Sequence, residues 1–269
     1  MNVIFSNNIL KESNYQVFES DLLEIEPHEI NVSQMKPKNV LNNKLWNHGK
    51  LNSRVRLRIM DIVDDFIDFL NVKWVKPIDI IFTGSLANFN WNKYSDIDIH
   101  IIIKFADVYK DEDFVNDYFE MKKRIWSNDH ENLKIYGFPV ELYVENYDGE
   151  TYSSGVYSIE KNEWVKFPVE FDYNEINENF IKRKASSLIN KIDCLNEKME
   201  NEDDSVKLSK ISKSATNLFK KIKFERYNCL KEHGEIGNWN IIYKIIRSKR
   251  KLQLLWKIPI KIYDKLNSI

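Results

Sequence analysis

The chain has 269 residues, and 43% of them are hydrophobic, which is enough for one large domain or two small ones with a substantial core. No apolar run approaches the roughly 18 residues that a membrane-spanning helix needs, so we expect no membrane partner. The first ten residues lack the basic and then apolar segments of a signal peptide, and we therefore expect a cytoplasmic protein. Neither the two cysteines nor the five histidines have the spacing of a zinc site.

The net charge of −1 conceals a separation of charge along the chain. Residues 205–269 carry 16 basic and 4 acidic residues, a net charge of +12, and residues 1–204 carry a net charge of −13. A general enrichment in lysine would not segregate the two signs in this way. The pattern is typical of an acidic active-site lobe joined to a basic lobe that meets a polyanion.

Hydrophobic spacing divides the chain into three regions: an N-terminal extension over residues 1–50, an α/β block over 51–172, and a helical, basic C-terminal region over 173–269. In chain order, the pattern predicts a helix at 52–71, strands at 78–82 and 97–103, a helix at 107–127, hairpins at 133–144 and 156–167, and helices at 175–200, 206–232 and 239–254.

Two carboxylates occupy the same face of the second predicted strand. Asp96 and Asp98 are two residues apart, and isoleucines take the intervening and following odd positions, so both acids point away from the core. Two ionised carboxylates on one face repel each other, and a divalent cation removes that cost. An Asp-x-Asp pair alone is more often a solvated strand end or turn, and it indicates a metal site only together with the two features that follow.

The dipeptide Gly84-Ser85 follows the first predicted strand, and ten residues separate it from Asp96. Glycine lets the backbone approach a phosphate closely, and a serine hydroxyl with adjacent backbone N–H groups can hold phosphate oxygens. We therefore interpret Gly84 and Ser85 as a phosphate-binding turn.

A third carboxylate, Glu141, lies between Val140 and Leu142 on a later predicted strand. If that strand pairs antiparallel in the same sheet, Glu141 lies beside the aspartates. Glu145 is an alternative, but it falls near the predicted end of the strand. Three such carboxylates can hold two Mg²⁺ ions about 3.5–4 Å apart, an arrangement that supports in-line phosphoryl displacement.

These three features, in this order, resemble the signature of the DNA polymerase beta-like nucleotidyltransferase superfamily. The resemblance is carried by Phe82–Ser85, Asp96–Ile99 and Val140–Leu142, and it covers roughly residues 50–170. In detail the chain looks like the small nucleotidyltransferase-domain proteins of bacteria and their phages. One departure is Thr83, which stands where a hydrophobic residue is usual.

The resemblance implies a mixed sheet flanked by helices, within an α/β (α+β) class, and an enzyme that transfers a nucleoside monophosphate from an NTP to an acceptor hydroxyl. It implies that Asp96, Asp98 and Glu141 are the catalytic residues and bind Mg²⁺ or Mn²⁺. It further implies that Gly84 and Ser85 hold the triphosphate of the NTP.

Three neighbouring residues have two readings each. Ser95 either caps the strand start or contacts a phosphate of the nucleotide. Tyr157 either stacks on the nucleotide base or belongs to an ordinary turn and strand. His100 shares the face of Asp98, so it is either close to the metal or the acceptor, or a hydrogen-bonded structural histidine.

The acceptor is less constrained than the donor. The basic region favours a nucleic acid, such as the 3′ end of an RNA or tRNA, and its candidate contacts are Lys220, Lys221, Arg247, Lys249, Arg250 and Lys251. For any single one of these cations, a solvated helix face or helix end is the alternative. A protein hydroxyl, an aminoglycoside or a second nucleotide, which would give an oligonucleotide messenger, remain alternatives. A non-catalytic nucleotide-binding module is a further alternative. A role in a toxin–antitoxin or phage-defence system is compatible with nucleotidyl transfer.

Overall fold

The computed structural model describes residues 24–149, 153–171 and 176–268. Its strands are β1 (Trp46–Asn47), β2 (Lys50–Leu51), β3 (Asp79–Thr83), β4 (Ile97–Ile103), β5 (Lys134–Ile135), β6 (Phe138–Asn146), β7 (Val156–Ser158) and β8 (Glu163–Lys166). Its α-helices are α1 (Ser53–Leu70), α2 (Phe105–Val108), α3 (Glu112–Asp129), α4 (Glu178–Asn201), α5 (Ser205–His233), α6 (Asn238–Ser248) and α7 (Lys251–Asn267).

Six strands form one mixed sheet in the order β5-β6-β4-β3-β7-β8. Strand β4 lies antiparallel to β3 and parallel to β6. The mixed sheet expected from the sequence is confirmed, but the antiparallel pairing expected for the strand of Glu141 is wrong. A parallel pair needs a crossover connection, and α3 supplies it between β4 and β6.

Helix α1 packs its apolar side against the sheet. The side chain of Asn52 accepts a hydrogen bond from the Arg54 backbone N–H at the start of the helix. Asn71 ends it in the left-handed conformation, with φ of 58°, which asparagine tolerates better than most residues. Val55, Ile59 and other apolar residues of α1 are buried with the isoleucines of β4 in one hydrophobic core.

Two predicted helices differ from the structure. The helix predicted from residue 107 begins at Glu112, because the Asp111 side chain caps it by accepting from the Phe114 N–H. The helix predicted over 239–254 is two helices that meet at Lys249 and Arg250. Lys249 and Arg250 lie three and four residues after the buried Ile246, so an unbroken helix would bury two cations.

Helices α4 to α7 surround a second hydrophobic core, which also includes Ile30, Val32 and Met35. A 2.5 Å ion pair between Lys36 Nζ and Glu178 Oε1 ties the segment before β1 to α4. No helix in the described part of the chain is long and apolar enough to cross a membrane. The division at residues 50 and 172 remains our proposal. Residues 1–23, and 172–175 at the second boundary, lie outside the described residues.

Candidate active site

Strand β4 alternates between the core and a cleft. Ile97, Ile99 and Ile101 are buried, whereas Asp98 and His100 between them are partly exposed on the other face. This is the alternation predicted from the sequence, and it fixes the direction of the aspartate side chains.

Asp98 and Glu141 are direct partners in the register of β4 and β6. Together with Asp96, each offers a carboxylate oxygen, and the three oxygens lie within 4.8 Å of one another. The predicted convergence of the three carboxylates is confirmed. Carboxylate oxygens are the ligands that hard divalent cations such as Mg²⁺ prefer, so this donor set fits the expected metal.

The cluster is electrostatically strained without a cation. Burial raises the pKa of Asp98 well above its usual value, and the neighbouring charges of Asp96 and Glu141 raise it further. Arg247 and Lys123 act in the opposite direction on the same pKa. A bound divalent cation would relieve the repulsion among the three carboxylates.

Gly84 makes room for one of these carboxylates. Its φ is +74°, and a Cβ atom at this position would overlap Oδ2 of Asp98. No L side chain fits both the conformation and the space. Thr83, the departure from the family pattern, is buried and pairs with Asp98 in the register of β3 and β4.

Ser85 and Ser95 hold the turn between β3 and β4 together. Ser85 Oγ donates to Ser95 Oγ at 2.7 Å, and the Asn92 backbone N–H donates to the same Ser95 oxygen at 3.0 Å. Ser95 is buried, so the structural reading of this serine fits better than the phosphate contact. Ser85 is partly exposed and faces the cleft.

The interpretation of Tyr157 as a nucleotide contact is wrong. Its side chain is completely buried, with its ring centroid 5.1 Å from that of Trp46 and 5.0 Å from that of Trp164. Its hydroxyl donates to Asn162 Oδ1 at 3.0 Å. Strand β7 is only three residues long and buried throughout, so no alternation in its sequence could separate a core tyrosine from an exposed one.

The C-terminal helices form the opposite wall of the catalytic cleft, which has a volume of about 320 Å³. Arg226, Lys244 and Arg247 line this wall and face the carboxylates across the cleft. Arg247 Nη2 lies 3.1 Å from Asp96 Oδ2. Arg247 was predicted as a contact for nucleic acid, and the structure instead pairs it with a residue of the acidic cluster.

A buried polar network closes one side of the cleft. The Glu235 carboxylate accepts hydrogen bonds from Asn88, from Asn90 at 3.1 Å and from Ser153 at 3.4 Å. Burial raises the pKa of Glu235 and lowers that of Lys244, and the two charges oppose these shifts. This network was not predicted from the sequence. In the sequence, only the three-residue spacing of Lys244 and Arg247 on one predicted helix indicated that these two cations share a helix face.

Tyr143 holds the third carboxylate in place. Its hydroxyl donates to Glu141 Oε2 at 2.5 Å, and burial raises its pKa, with the charges of Glu141 and Asp98 adding to the effect. Its ring stacks on His100 at 4.6 Å between centroids, and Lys123 Nζ lies 3.3 Å from the ring centroid. Tyr143 therefore stays protonated and orients Glu141.

His100 and Glu145 form a separate pair farther along the same strands. His100 Nδ1 lies 2.8 Å from Glu145 Oε1, and both residues line the catalytic cleft. Glu145 pairs with Ile102 in the strand register, whereas Glu141 pairs with Asp98. The structure therefore places Glu141 rather than Glu145 in the acidic cluster.

The remaining basic residues that were predicted to contact nucleic acid differ in their surroundings. Lys251 Nζ pairs with Asp193 Oδ1 at 2.5 Å and joins α7 to α4, so the structure gives this side chain a partner within the protein. The other four side chains are exposed: Lys220, Lys221, Lys249 and Arg250.

Comparison with known proteins agrees with this geometry. Residues 63–167 match the family model of the nucleotidyltransferase domain, a range that includes Gly84, Ser85 and all three clustered carboxylates. No curated protein and no solved structure gives a significant match. Residues 63–167 therefore form a nucleotidyltransferase domain of the polymerase beta-like superfamily, and this domain supports a transferase of the nucleotidyl-transferring type.

Proposed function

We propose that this protein transfers a nucleoside monophosphate from an NTP to a hydroxyl group of a nucleic acid, such as the 3′ end of an RNA or tRNA. The observation that carries the proposal is the convergence of Asp96, Asp98 and Glu141, with oxygens within 4.8 Å of one another, beside the turn at Gly84 and Ser85.

In the proposed reaction, the acceptor hydroxyl oxygen forms a bond to the α-phosphorus of the NTP. The bond from that phosphorus to the bridging oxygen of the β-phosphate breaks, pyrophosphate leaves, and the hydroxyl proton passes to solvent. Asp96, Asp98 and Glu141 would hold Mg²⁺ or Mn²⁺, which when bound supplies charge stabilisation at the α-phosphate and lowers the pKa of the attacking hydroxyl. Tyr143 keeps Glu141 oriented for that role through its 2.5 Å hydrogen bond.

The donor side of the site combines a small turn with cations. Ser85 lines the cleft on the sheet side, and Arg226 and Lys244 line it on the helix side. We propose that Ser85 and these cations hold the triphosphate, because phosphate oxygens bind well to hydroxyl, backbone N–H and cationic groups. Arg247 would exchange its contact with Asp96 for a phosphate when the metal enters.

The acceptor part of the proposal is supported by charge. The C-terminal region carries a net charge of +12, and Lys220, Lys221, Lys249 and Arg250 are exposed on it. A polyanion gains affinity from such a surface by releasing its counterions. An acceptor without a row of phosphates releases fewer counterions and would gain less affinity from this surface.

The test is incubation of the protein with each α-labelled NTP, Mg²⁺ or Mn²⁺ and total tRNA, with products resolved by size. Label on RNA in the wild type, and none with Asp98→Asn, is the expected result. Label on protein or in a small product would contradict the nucleic-acid acceptor and assign one of the alternatives. An absence of transfer with every NTP and acceptor would indicate a nucleotide-binding module instead of an enzyme.

A further inference from the structure

A second cleft, with a volume of about 510 Å³, adjoins the catalytic one. One wall is the turn before β4, with Lys93, Tyr94 and Ser95, and another is the hairpin of β5 and β6, with Lys134 and Pro139. The third wall is the end of α6 together with Arg250, which stands between α6 and α7.

The walls of this second cleft are basic throughout. Its cations are Lys93, Lys134, Lys244, Arg247 and Arg250, and none of the described residues that line it is acidic. Lys93, Lys134 and Arg250 are exposed, and no ion-pair partner is found for them among the described residues. Several uncompensated cations around one concave surface favour an anionic ligand.

The two clefts are continuous. Ser85, Lys244 and Arg247 line both of them. Ser95 directly precedes Asp96, and Pro139 lies two residues before Glu141. Because β4 and β6 are parallel, both strands begin at the same end of the sheet. A ligand in the second cleft therefore ends next to the three carboxylates.

One exposed aromatic side chain distinguishes this cleft from a site for phosphate alone. Tyr94 is 47% exposed, and Lys93 Nζ lies 4.9 Å from the centroid of its ring. Cations that follow a backbone, together with an aromatic ring on which a base can stack, are typical of surfaces that bind single-stranded nucleic acid.

We propose that this second cleft binds the phosphates of a single-stranded nucleic acid just upstream of its terminal hydroxyl, with Lys93, Lys134 and Arg250 as phosphate contacts and Tyr94 as a stacking surface. This inference rests on the proposed function, and it gives the acceptor a defined path to the carboxylates. It also places the acceptor contacts at the junction of three chain segments rather than on the exposed face of α5.

The test measures binding of a labelled 20-nucleotide single-stranded RNA, in the absence of NTP, by fluorescence anisotropy at two salt concentrations. The cleft variant combines Lys93→Gln, Lys134→Gln and Arg250→Asn. Asparagine is chosen at position 250 because φ there is 58°, a conformation that asparagine tolerates. All three side chains are exposed, so the melting temperature should stay close to that of the wild type, and each single substitution is measured as well.

The matched control removes three charges at the opposite end of the sheet, with Lys73→Gln, Lys76→Gln and Lys110→Gln. These lysines are exposed and lie before β3 and after β4. A third protein carries Lys220→Gln and Lys221→Gln on α5. Binding of Mg²⁺–ATP is measured for every variant, which distinguishes a site for the phosphates of the acceptor from a site for the triphosphate of the donor.

We expect the affinity of the cleft variant for RNA to fall by about tenfold or more. The slope of log affinity against log salt concentration should become shallower by about 2, since each of the three contacts to a single strand contributes about 0.7. The affinity of this variant for Mg²⁺–ATP should change less than twofold, and the control should resemble the wild type. Unchanged RNA binding, an equal loss in the control or in the α5 variant, or a parallel loss of ATP affinity would overturn the proposal. RNA binding through the cleft by a wild type that transfers no nucleotide would contradict the proposed function and still support the cleft.

Discussion

Asp98 and Glu141 face each other across two parallel strands, although 42 residues separate them in the chain. Their proximity comes from the crossover through α3, and it brings two carboxylates within reach of one metal ion together with Asp96. The repulsion between these groups has consequences for stability that can be measured apart from activity.

The first prediction concerns the pH dependence of the metal-free protein. The pKa of Asp98 is raised in the folded state, so its contribution to stability is present at acid pH and is lost as pH rises from about 4, its unfolded value. Asp98→Asn removes that loss. In EDTA near neutral pH, the melting temperature of the variant should be a few degrees above that of the wild type, since each kcal/mol of unfolding free energy raises it by about 2–4 °C.

The difference between Asp98→Asn and the wild type should shrink as the pH falls towards 4. Asp65→Asn, which changes an exposed aspartate of α1, serves as the control and should show no such pH-dependent gain. A lower melting temperature for Asp98→Asn at every pH would show that the carboxylate stabilises the fold instead.

The second prediction concerns metal binding. Mg²⁺ or Mn²⁺ with NTP should raise the melting temperature of the wild type, because a ligand that binds only the folded state at 100 times its Kd adds about 2.7 kcal/mol. Asp98→Asn should abolish most of this rise, and Asp65→Asn should retain it. An equal rise in all three proteins would place the metal elsewhere.

The third prediction separates two roles of Arg247. Its guanidinium pairs with Asp96 at 3.1 Å, so Arg247→Gln removes a positive charge that competes with the metal. The variant should bind Mn²⁺ alone more tightly than the wild type, yet show a higher KM for NTP because a phosphate contact is lost. Arg58→Gln, which removes an exposed arginine paired with Asp61, is the control. Weaker Mn²⁺ binding by Arg247→Gln would contradict the competition between the arginine and the metal.

The fourth prediction concerns Tyr143 as a positioning residue. Tyr143→Phe keeps the ring against His100 but removes the hydrogen bond to Glu141. The kcat should fall by about tenfold, with a raised Mg²⁺ concentration for half-maximal rate and an almost unchanged KM for NTP. Tyr118→Phe removes a hydroxyl that bonds Leu70 O at 2.5 Å, in the core beside α1. If both variants have the same metal dependence, Tyr143 has only a structural role.

The sequence was informative wherever a local pattern decides the structure. The alternation of acids and isoleucines from Asp96 into β4 predicted both the strand and the shared face of Asp96 and Asp98. The glycine before Ser85 indicated a close approach of other groups to the backbone, although in the structure the group it accommodates is the carboxylate of Asp98.

Features that depend on distant packing could not be predicted in the same way. The parallel pairing of β6 is set by the crossover through α3, and nothing in the local sequence of the strand encodes it. Arg247 meets Asp96 only because α6 packs over the cleft. Its position in a run of basic residues instead suggested a solvent-facing contact. The aromatic ring of Tyr157 could stack on a base if it were exposed, but the side chain is buried in the core.

The central claim is that Asp96 and Asp98, at the start of β4, carry nucleotidyl transfer. The most direct measurement is transfer of label from an α-labelled NTP by the double variant Asp96→Asn, Asp98→Asn. The account predicts wild-type transfer with release of pyrophosphate, and a loss of at least about a thousandfold in the double variant. The matched variant Asp64→Asn, Asp65→Asn, on the exposed face of α1, should retain activity. Transfer by the Asp96→Asn, Asp98→Asn protein at a rate near that of the wild type would contradict the mechanism.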